Sequence, residues 1–352
     1  MFRPPIRLIN PVRISRRGFS TKPGDVLELG SRRQLAFAAG GSALAFGTAA
    51  WLTNKDTEER SKQKSWSLWG RSHGTGLQPD LARSRFDETV ASAKAFMARF
   101  PDNRLVTICS EKWIELAQGP HGEAKRTQLG LIAVFVGVFV VGTAARSARL
   151  DSWLAHNAAS GRSLTLLTSV FAHGSIPHLA LNSLALFSLG TSAVAFLDHS
   201  EFLPRSTSRY EFLALFAAAG MTSAFASHWW STRILARRLA RTLNPKQVKE
   251  TSIGSLGASG ATYSFITLIA LAYPSLSLSF IFLPWVPIPI GAATTAIVLV
   301  DIVGLVRGWK LFDHAAHLAG ATFGVFYWIA GHELFEIVRV QMLGHGKGRA
   351  IE

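Results

Sequence analysis

Three sets of residues in this chain have types and spacings that can do chemistry. The first is Gly254-Ser-Leu-Gly-Ala-Ser259-Gly-Ala-Thr-Tyr263, small residues carrying serines at the mouth of an apolar run. A serine at a helix start meets orphan backbone N–H groups and the positive end of the helix dipole, which stabilise negative charge on a nearby oxygen. Ser259, flanked by Gly257 and Gly260, is therefore a candidate nucleophile. The second set is Asp313-His-Ala-Ala-His317-Leu-Ala-Gly320-Ala-Thr-Phe-Gly324, in which His317, Gly320 and Gly324 fall on one helical face. An imidazole on a glycine-smooth surface can meet a packed neighbour. If that neighbour carries Ser259, the pair is the minimum for nucleophilic acyl chemistry; alternatively His317 only hydrogen-bonds another helix. The third set, His173-Gly-Ser-Ile-Pro-His178-Leu-Ala-Leu-Asn182, places His178 and Asn182 four apart, as two donors for a developing oxyanion. Asn182 would equally serve as an interhelical hydrogen bond. His173, outside that spacing, reads as a residue that orders the preceding loop. Tyr263, one turn beyond Ser259, is placed either to pack on the His317 ring or to fill core. Gly331-His-Glu-Leu-Phe-Glu336 opens like a zincin motif but lacks the second histidine one turn on, and His314 and His317 have no carboxylate pair nearby in sequence beyond Asp313. Neither a metal site nor a cofactor is expected.

The elements that must position these residues are apolar. The chain has 352 residues, is 48% hydrophobic and carries a formal charge of +15, with a mean hydropathy of +0.23. That combination indicates a polytopic membrane protein with basic loops, an all-α fold in the lipid bilayer. Nucleic acid is not an expected partner, because the lysines and arginines lie in the leader and between apolar runs rather than in one patch. The single Cys109 rules out an internal disulfide framework. The first 22 residues carry Arg3, Arg7, Arg13, Arg16, Arg17 and Lys22, with no acid before Asp25. This reads as a mitochondrial transit peptide over 1–19, with cleavage near Phe19 and Ser20 in Arg17-Gly-Phe-Ser20. An apolar run over 34–53 is long enough to cross a bilayer. Residues 54–128 read as a soluble segment with an amphipathic helix over 82–100. Further spans are expected over 129–145, 176–197, 211–230, 253–273, 288–306 and 312–330. Pro274 ends the fourth of these, and 278–289, broken by Pro284, Pro287 and Pro289, reads as a loop. No internal repeat of the transporter kind is evident.

Gly257-Ala-Ser259-Gly260, His317 with Gly320 and Gly324, and His178 with Asn182 together resemble the rhomboid intramembrane serine proteases, over Leu164 to Glu333. Trp309-Lys-Leu-Phe-Asp-His-Ala-Ala-His317-Leu-Ala-Gly320 and Ile281-Phe-Leu-Pro284 are similar to the mitochondrial presenilin-associated branch, as is the extra early helix. The Trp-Arg pair typical of the first core loop in bacterial members is not found; Trp153 is a loose counterpart. The resemblance implies a six-helix rhomboid core over 129–335 with one extra N-terminal transmembrane helix, and a tail over 336–352. It implies that Ser259 attacks the substrate carbonyl while His317 moves the proton. Asn182, His178 and the Ser259 N–H would form the oxyanion site, and Gly257 and Gly260 would let loop and helices bend and approach. A Ser-His dyad needs no acidic third member, so Asp313 is not assigned that role. Implied substrates are single-pass inner-membrane precursors, including dynamin-like fusion GTPases. The competing reading is a non-catalytic helix-binding or quality-control factor on the same fold. Loops on the side of the Ser259 mouth carry eleven Lys and Arg against five on the other side, from which the positive-inside rule expects the mouth to face the mitochondrial matrix.

Overall fold

The computed structural model describes residues 23–63, 76–101, 103–118, 121–145, 148–158, 160–200, 202–241, 255–280, 283–309 and 312–348. The expected leader over 1–19, Gly254, Ile281, Lys310, much of the basic loop before Ser255 and the chain end beyond 348 lie outside them.

The first helix, α1 (Pro23–Gln63), outruns the apolar stretch 34–53. The polar sequence that follows keeps good helix formers and pairs them at four-residue spacing, as Lys55 with Glu59, Asp56 with Arg60 and Glu58 with Lys62. Instead of one amphipathic helix over 82–100 there are two, α2 (Pro79–Ala98) and α3 (Arg104–Ala117). Pro101 interrupts them, and the Asn103 side chain restarts the helix by accepting from the N–H groups of Leu105 and Val106. The next helix, α4 (Gly122–Ala145), begins ahead of the expected Leu129. Its polar first turns are held by contacts, with Glu123 paired to Arg85 at 3.0 Å and Gln128 buried within 3.3 Å of Thr191.

Short helices α5 (Ala148–Leu154) and α6 (Thr165–Thr168), with a 3-10 turn over Ser169–Phe171, lead into α7 (Ile176–Leu197). Ser175 caps α7 and Pro177 occupies its first turn. Then come α8 (Arg209–Arg241), α9 (Ser259–Ala272), α10 (Ile290–Arg307), α11 (His314–Phe326), a π-helical turn over Tyr327–Gly331 and α12 (His332–Gly348). The stretch expected to be a loop is an antiparallel hairpin, β3 (Ser277–Phe280) with β4 (Leu283–Pro289). A two-stranded ribbon is all edge, so prolines lose no ladder partner in it. A second small pairing joins β1 (Gly76–Leu77) to β2 (Pro204–Arg205) in parallel.

Among the described residues, five helices, α1, α4, α7, α8 and α10, contain stretches long and apolar enough to cross a membrane. The helix at the centre is different. With 14 residues, α9 is about 21 Å long, shorter than a hydrocarbon core of about 30 Å. It is buried along most of its length and packs against α7, α8, α10 and α11. Its Phe265 stacks on Phe212 at 5.1 Å inside a core that includes Phe135, Leu186, Leu215, Phe216 and Tyr327.

The end of the bundle away from Ser259 is closed by charge. Arg205, with no exposed surface, donates to Glu211 at 2.6 Å and to Glu336. Arg339 donates to Glu336 at 2.9 Å and to Asn54 at 3.0 Å, and Tyr327 donates to Glu211 at 2.6 Å. These contacts tie α1, α8 and α12 to the loop after α7, and every charge has an opposite partner.

Candidate active site

The loop entering α9 is pinned on three sides before it delivers Ser259. Ser255 and His156 exchange both backbone hydrogen bonds at 2.9 Å, and the Gly257 N–H donates to the Ser169 carbonyl at 2.9 Å. Gly257 has φ +115°, where a side chain is strained, and a Cβ there would lie 2.7 Å from His178 Nε2. The Ser255 hydroxyl donates to Asp313 at 2.6 Å, as does Ser227 from α8. Asp313 also caps α11 by accepting from the Ala316 N–H at 3.2 Å. One carboxylate thus fixes the serine loop, α8 and the start of the histidine helix relative to one another.

The helices then meet closely enough for the side chains to touch. A Cβ on Gly320 would fall 2.0 Å from the Gly260 carbonyl oxygen, and one on Gly324 would fall 2.3 Å from that of Ser264, so only hydrogen fits between α9 and α11. On this contact His317 Nε2 lies 2.9 Å from Ser259 Oγ. Ser259 is half-buried and opens its helix, leaving its own N–H without an intrahelical acceptor. Tyr263 stacks on the His317 ring, centroids 4.2 Å apart and planes at 14°.

Asp301, on α10, is the residue that sequence reasoning missed. Its carboxylate lies 3.1 Å from His317 Nδ1, accepts from the Tyr263 hydroxyl at 2.5 Å, and lies 2.5 Å from His314 Nδ1. His314 reaches it by lying over Gly304, where a Cβ would come within 2.4 Å of the ring. The signal was available, since Asp301 is the one acid in the apolar sequence of α10, and an ionisable group in a span marks a functional candidate. Its partners come from distant sequence, which spacing along one helix does not show.

His178 and Asn182 stand beside Gly257, on the other side of the serine loop. Asn182 Nδ2 donates to the His178 carbonyl at 2.9 Å and lies 4.0 Å from the position of a Gly257 Cβ. His178 Nδ1 accepts from the Gly174 N–H at 3.4 Å, which leaves the proton on Nε2, the nitrogen turned toward Gly257. His173 is buried between Phe135 and His178, and this burial, helped by His178, lowers its pKa to about 4. Both ring nitrogens of His332 are engaged, by Glu211 and by the His199 carbonyl, each at 2.6 Å. The structure therefore brings together Ser259, His317, His178, Asn182, Tyr263, Gly257, Gly260, Gly320 and Gly324. Chemically, the arrangement offers a hydroxyl hydrogen-bonded to an imidazole, a carboxylate on the far ring nitrogen, and two donors beside Gly257 in the loop that delivers the hydroxyl.

Residues 160–333 match the rhomboid domain. Presenilin-associated rhomboid-like protein A, mitochondrial, of Danio rerio is 33% identical over 232 residues, covering 65% of this chain and 53% of its own. Presenilin-associated rhomboid-like protein, mitochondrial, of Homo sapiens is 33% identical over 224 residues, 63% of this chain and 51% of its own. Rhomboid protein 1, mitochondrial, of Saccharomyces cerevisiae is 31% identical over 168 residues, 47% and 40% of the two chains. The chain spans about half the length of the curated relatives it matches. With that domain laid over the helices that carry Ser259 and His317, the chain belongs to the rhomboid family, as a multi-pass membrane protein similar to its mitochondrial presenilin-associated members.

Proposed function

We propose that this chain is an intramembrane serine endopeptidase that cuts transmembrane segments of inner-membrane proteins, and that Ser259 and His317 carry the reaction. The observation that carries the reading is the 2.9 Å pair of Ser259 Oγ and His317 Nε2, held at a helix start among apolar helices. His317 Nε2 takes the hydroxyl proton as Ser259 Oγ adds to the scissile carbonyl carbon. The oxyanion that forms is met by the Ser259 N–H, the second hydrogen of Asn182 Nδ2 and His178 Nε2–H. When the C–N bond breaks, His317 returns its proton to the departing amine; water then repeats the sequence on the acyl-serine and restores the enzyme. Asp301 accepts from Nδ1–H, fixes the tautomer that presents Nε2 to serine, and stabilises the imidazolium. It supplements the dyad that the family resemblance implies.

The substrate must present an extended bond, because a helix hides its carbonyls in its own ladder. Small or helix-breaking residues near one end of a single-pass segment are the expected recognition feature, and a dynamin-like GTPase precursor is a candidate. The Arg-rich leader and the mitochondrial names of the relatives support the mitochondrial inner membrane, and the excess of Lys and Arg in the loops on the Ser259 side supports a mouth toward the matrix. The test uses the purified full chain in proteoliposomes with a model transmembrane substrate. Wild type should cut, and S259A and H317A should not. A folded wild type that binds the segment without cutting it would favour the non-catalytic reading, and an S259A that still cuts would refute Ser259 as the nucleophile.

A further inference from the structure

On the side of the bundle away from Ser259, the α2–α3 hairpin and the start of α4 border two adjoining open clefts of about 630 and 270 Å³. They share Glu88, Thr89, Trp113 and Arg126 as a common wall. The larger is apolar at its far end, with Ala93, Phe96 and Cys109; the smaller is cationic, lined by Arg85, Arg126 and Arg209. Its two carboxylates are already used, Glu88 by both terminal nitrogens of Arg60 and Glu123 by Arg85, which also pairs with Asp56. Arg126 and Arg209 donate only to neutral oxygens: Arg126 to the Gly122 carbonyl at 3.3 Å and to the Thr89 hydroxyl, Arg209 to the Tyr210 hydroxyl at 2.6 Å. Among the described residues neither has a carboxylate within ion-pair distance.

The level is that of lipid headgroups, since Arg126 is in the first turns of α4 and Arg209 opens α8. Around the clefts, Phe96, Phe100, Leu105, Ile108 and Trp113 are all exposed, although α2 and α3 contain none of the stretches long enough to cross a membrane. A hairpin showing that much apolar side chain is suited to lie on lipid. We propose that the joined clefts bind an anionic phospholipid, its phosphate between Arg126 and Arg209 and one acyl chain in the limb lined by Ala93, Phe96 and Cys109. Guanidinium matches phosphate in a bidentate fork, and a cleft cationic at one end and apolar at the other fits an amphiphile better than a free anion.

Cys109, the chain's one cysteine, lines the apolar limb and is exposed, so it reports occupancy. The full chain in neutral-detergent micelles would be alkylated with a maleimide in the presence of phosphatidylglycerol, phosphatidylcholine of the same chains, or inorganic phosphate. At ten times its Kd, mass action leaves about one site in eleven open, so phosphatidylglycerol should slow alkylation about tenfold. Phosphatidylcholine and inorganic phosphate at the same concentration should leave the rate unchanged. R126Q/R209Q, with its thermal transition checked, should lose the protection. Equal slowing by phosphatidylcholine would mean general coverage by lipid, and slowing by inorganic phosphate would mean a free-anion site. Either result, or full protection in the folded double variant, overturns the proposal; the wild-type comparison decides even where the variant does not fold.

Discussion

Adding one methyl group at Gly320 should separate catalysis from folding. A Cβ at that position would stand 2.0 Å from the Gly260 carbonyl oxygen, where ordinary contact begins near 3.4 Å. The obstacle is backbone on a buried helix and cannot swing aside, so α9 and α11 must part by about 1 Å locally. Gly260 follows Ser259, and Gly320 is one turn from His317, so the same displacement is imposed on the 2.9 Å contact between hydroxyl and imidazole. A shift of about 1 Å carries that contact out of hydrogen-bond range and costs about 10²-fold in turnover. Stability should fall by roughly 1–3 kcal/mol, as for other overpacked interiors. Gly324→Ala is the control, because its Cβ would meet the Ser264 carbonyl at 2.3 Å, one turn farther from the chemistry. It should destabilise comparably and lose much less turnover. The assay is cleavage of a model transmembrane substrate in proteoliposomes, read beside thermal unfolding in micelles. A folded G320A with wild-type turnover, or two variants that lose turnover equally at equal stability, would refute the view that helix approach sets the Ser-His geometry.

Asp301→Asn keeps the shape but removes the charge facing His317 Nδ1, so kcat should fall between about 10² and 10⁴-fold with KM nearly unchanged, measured by single-substrate kinetics; a loss below about threefold would leave Asp301 a purely structural partner. Arg205→Met leaves Glu211 with Tyr327 and His332 and Glu336 with Arg339 as partners but removes the guanidinium between the two buried carboxylates, and should cost about 3–5 kcal/mol in denaturation measured in micelles. His156, which pins Ser255 and lies 3.0 Å from His228, is held neutral by burial and by that second ring, with its pKa lowered from 6.5 to about 3. An unfolded chain takes up the proton first, so the stability it contributes is complete above pH 6.5 and is lost as pH falls toward 3, at up to about 1.4 kcal/mol per pH unit. Thermal midpoints across that window should show a slope that His156→Gln reduces, and parallel slopes would dismiss the assignment.

Helices are legible here because lipid leaves a chain few options: a span must be apolar for some twenty residues and must satisfy its own backbone. Their ends are less legible, since partners elsewhere decide them. The 41 residues of α1 depend partly on ion pairs within a polar sequence, and the early start of α4 depends on Arg85 and Thr191, neither of which is near it in sequence. The prolines of 283–289 argued for a loop and are compatible with the hairpin only because its strands have open edges. At the site, Ser259, His317, His178 and Asn182 could be read because each sits in a short pattern whose spacing defines a face. Asp301 could not be placed, because its meaning comes from three residues on α9 and α11. The contribution of Asp313 as a tie among Ser227, Ser255 and Ala316 needs the fold to be seen.

The two ends of this bundle solve one problem in different ways. Away from the mouth, Arg205, Glu211, Glu336 and Arg339 are buried and mutually paired, so each helix there is fixed by directional contacts that lipid cannot replace. Near Ser259 the polar ties are Asp301 with His314, His317 and Tyr263, and Asp313 with Ser227 and Ser255. Beside these ties, α9 and α11 approach closely through the absence of side chains at Gly260, Gly320 and Gly324. Glycine contacts hold a distance without supplying a donor or an acceptor of their own beyond the backbone. On the proposed mechanism, the groups left to meet a peptide bond are the Ser259 hydroxyl and N–H, His178 Nε2–H and the second hydrogen of Asn182 Nδ2.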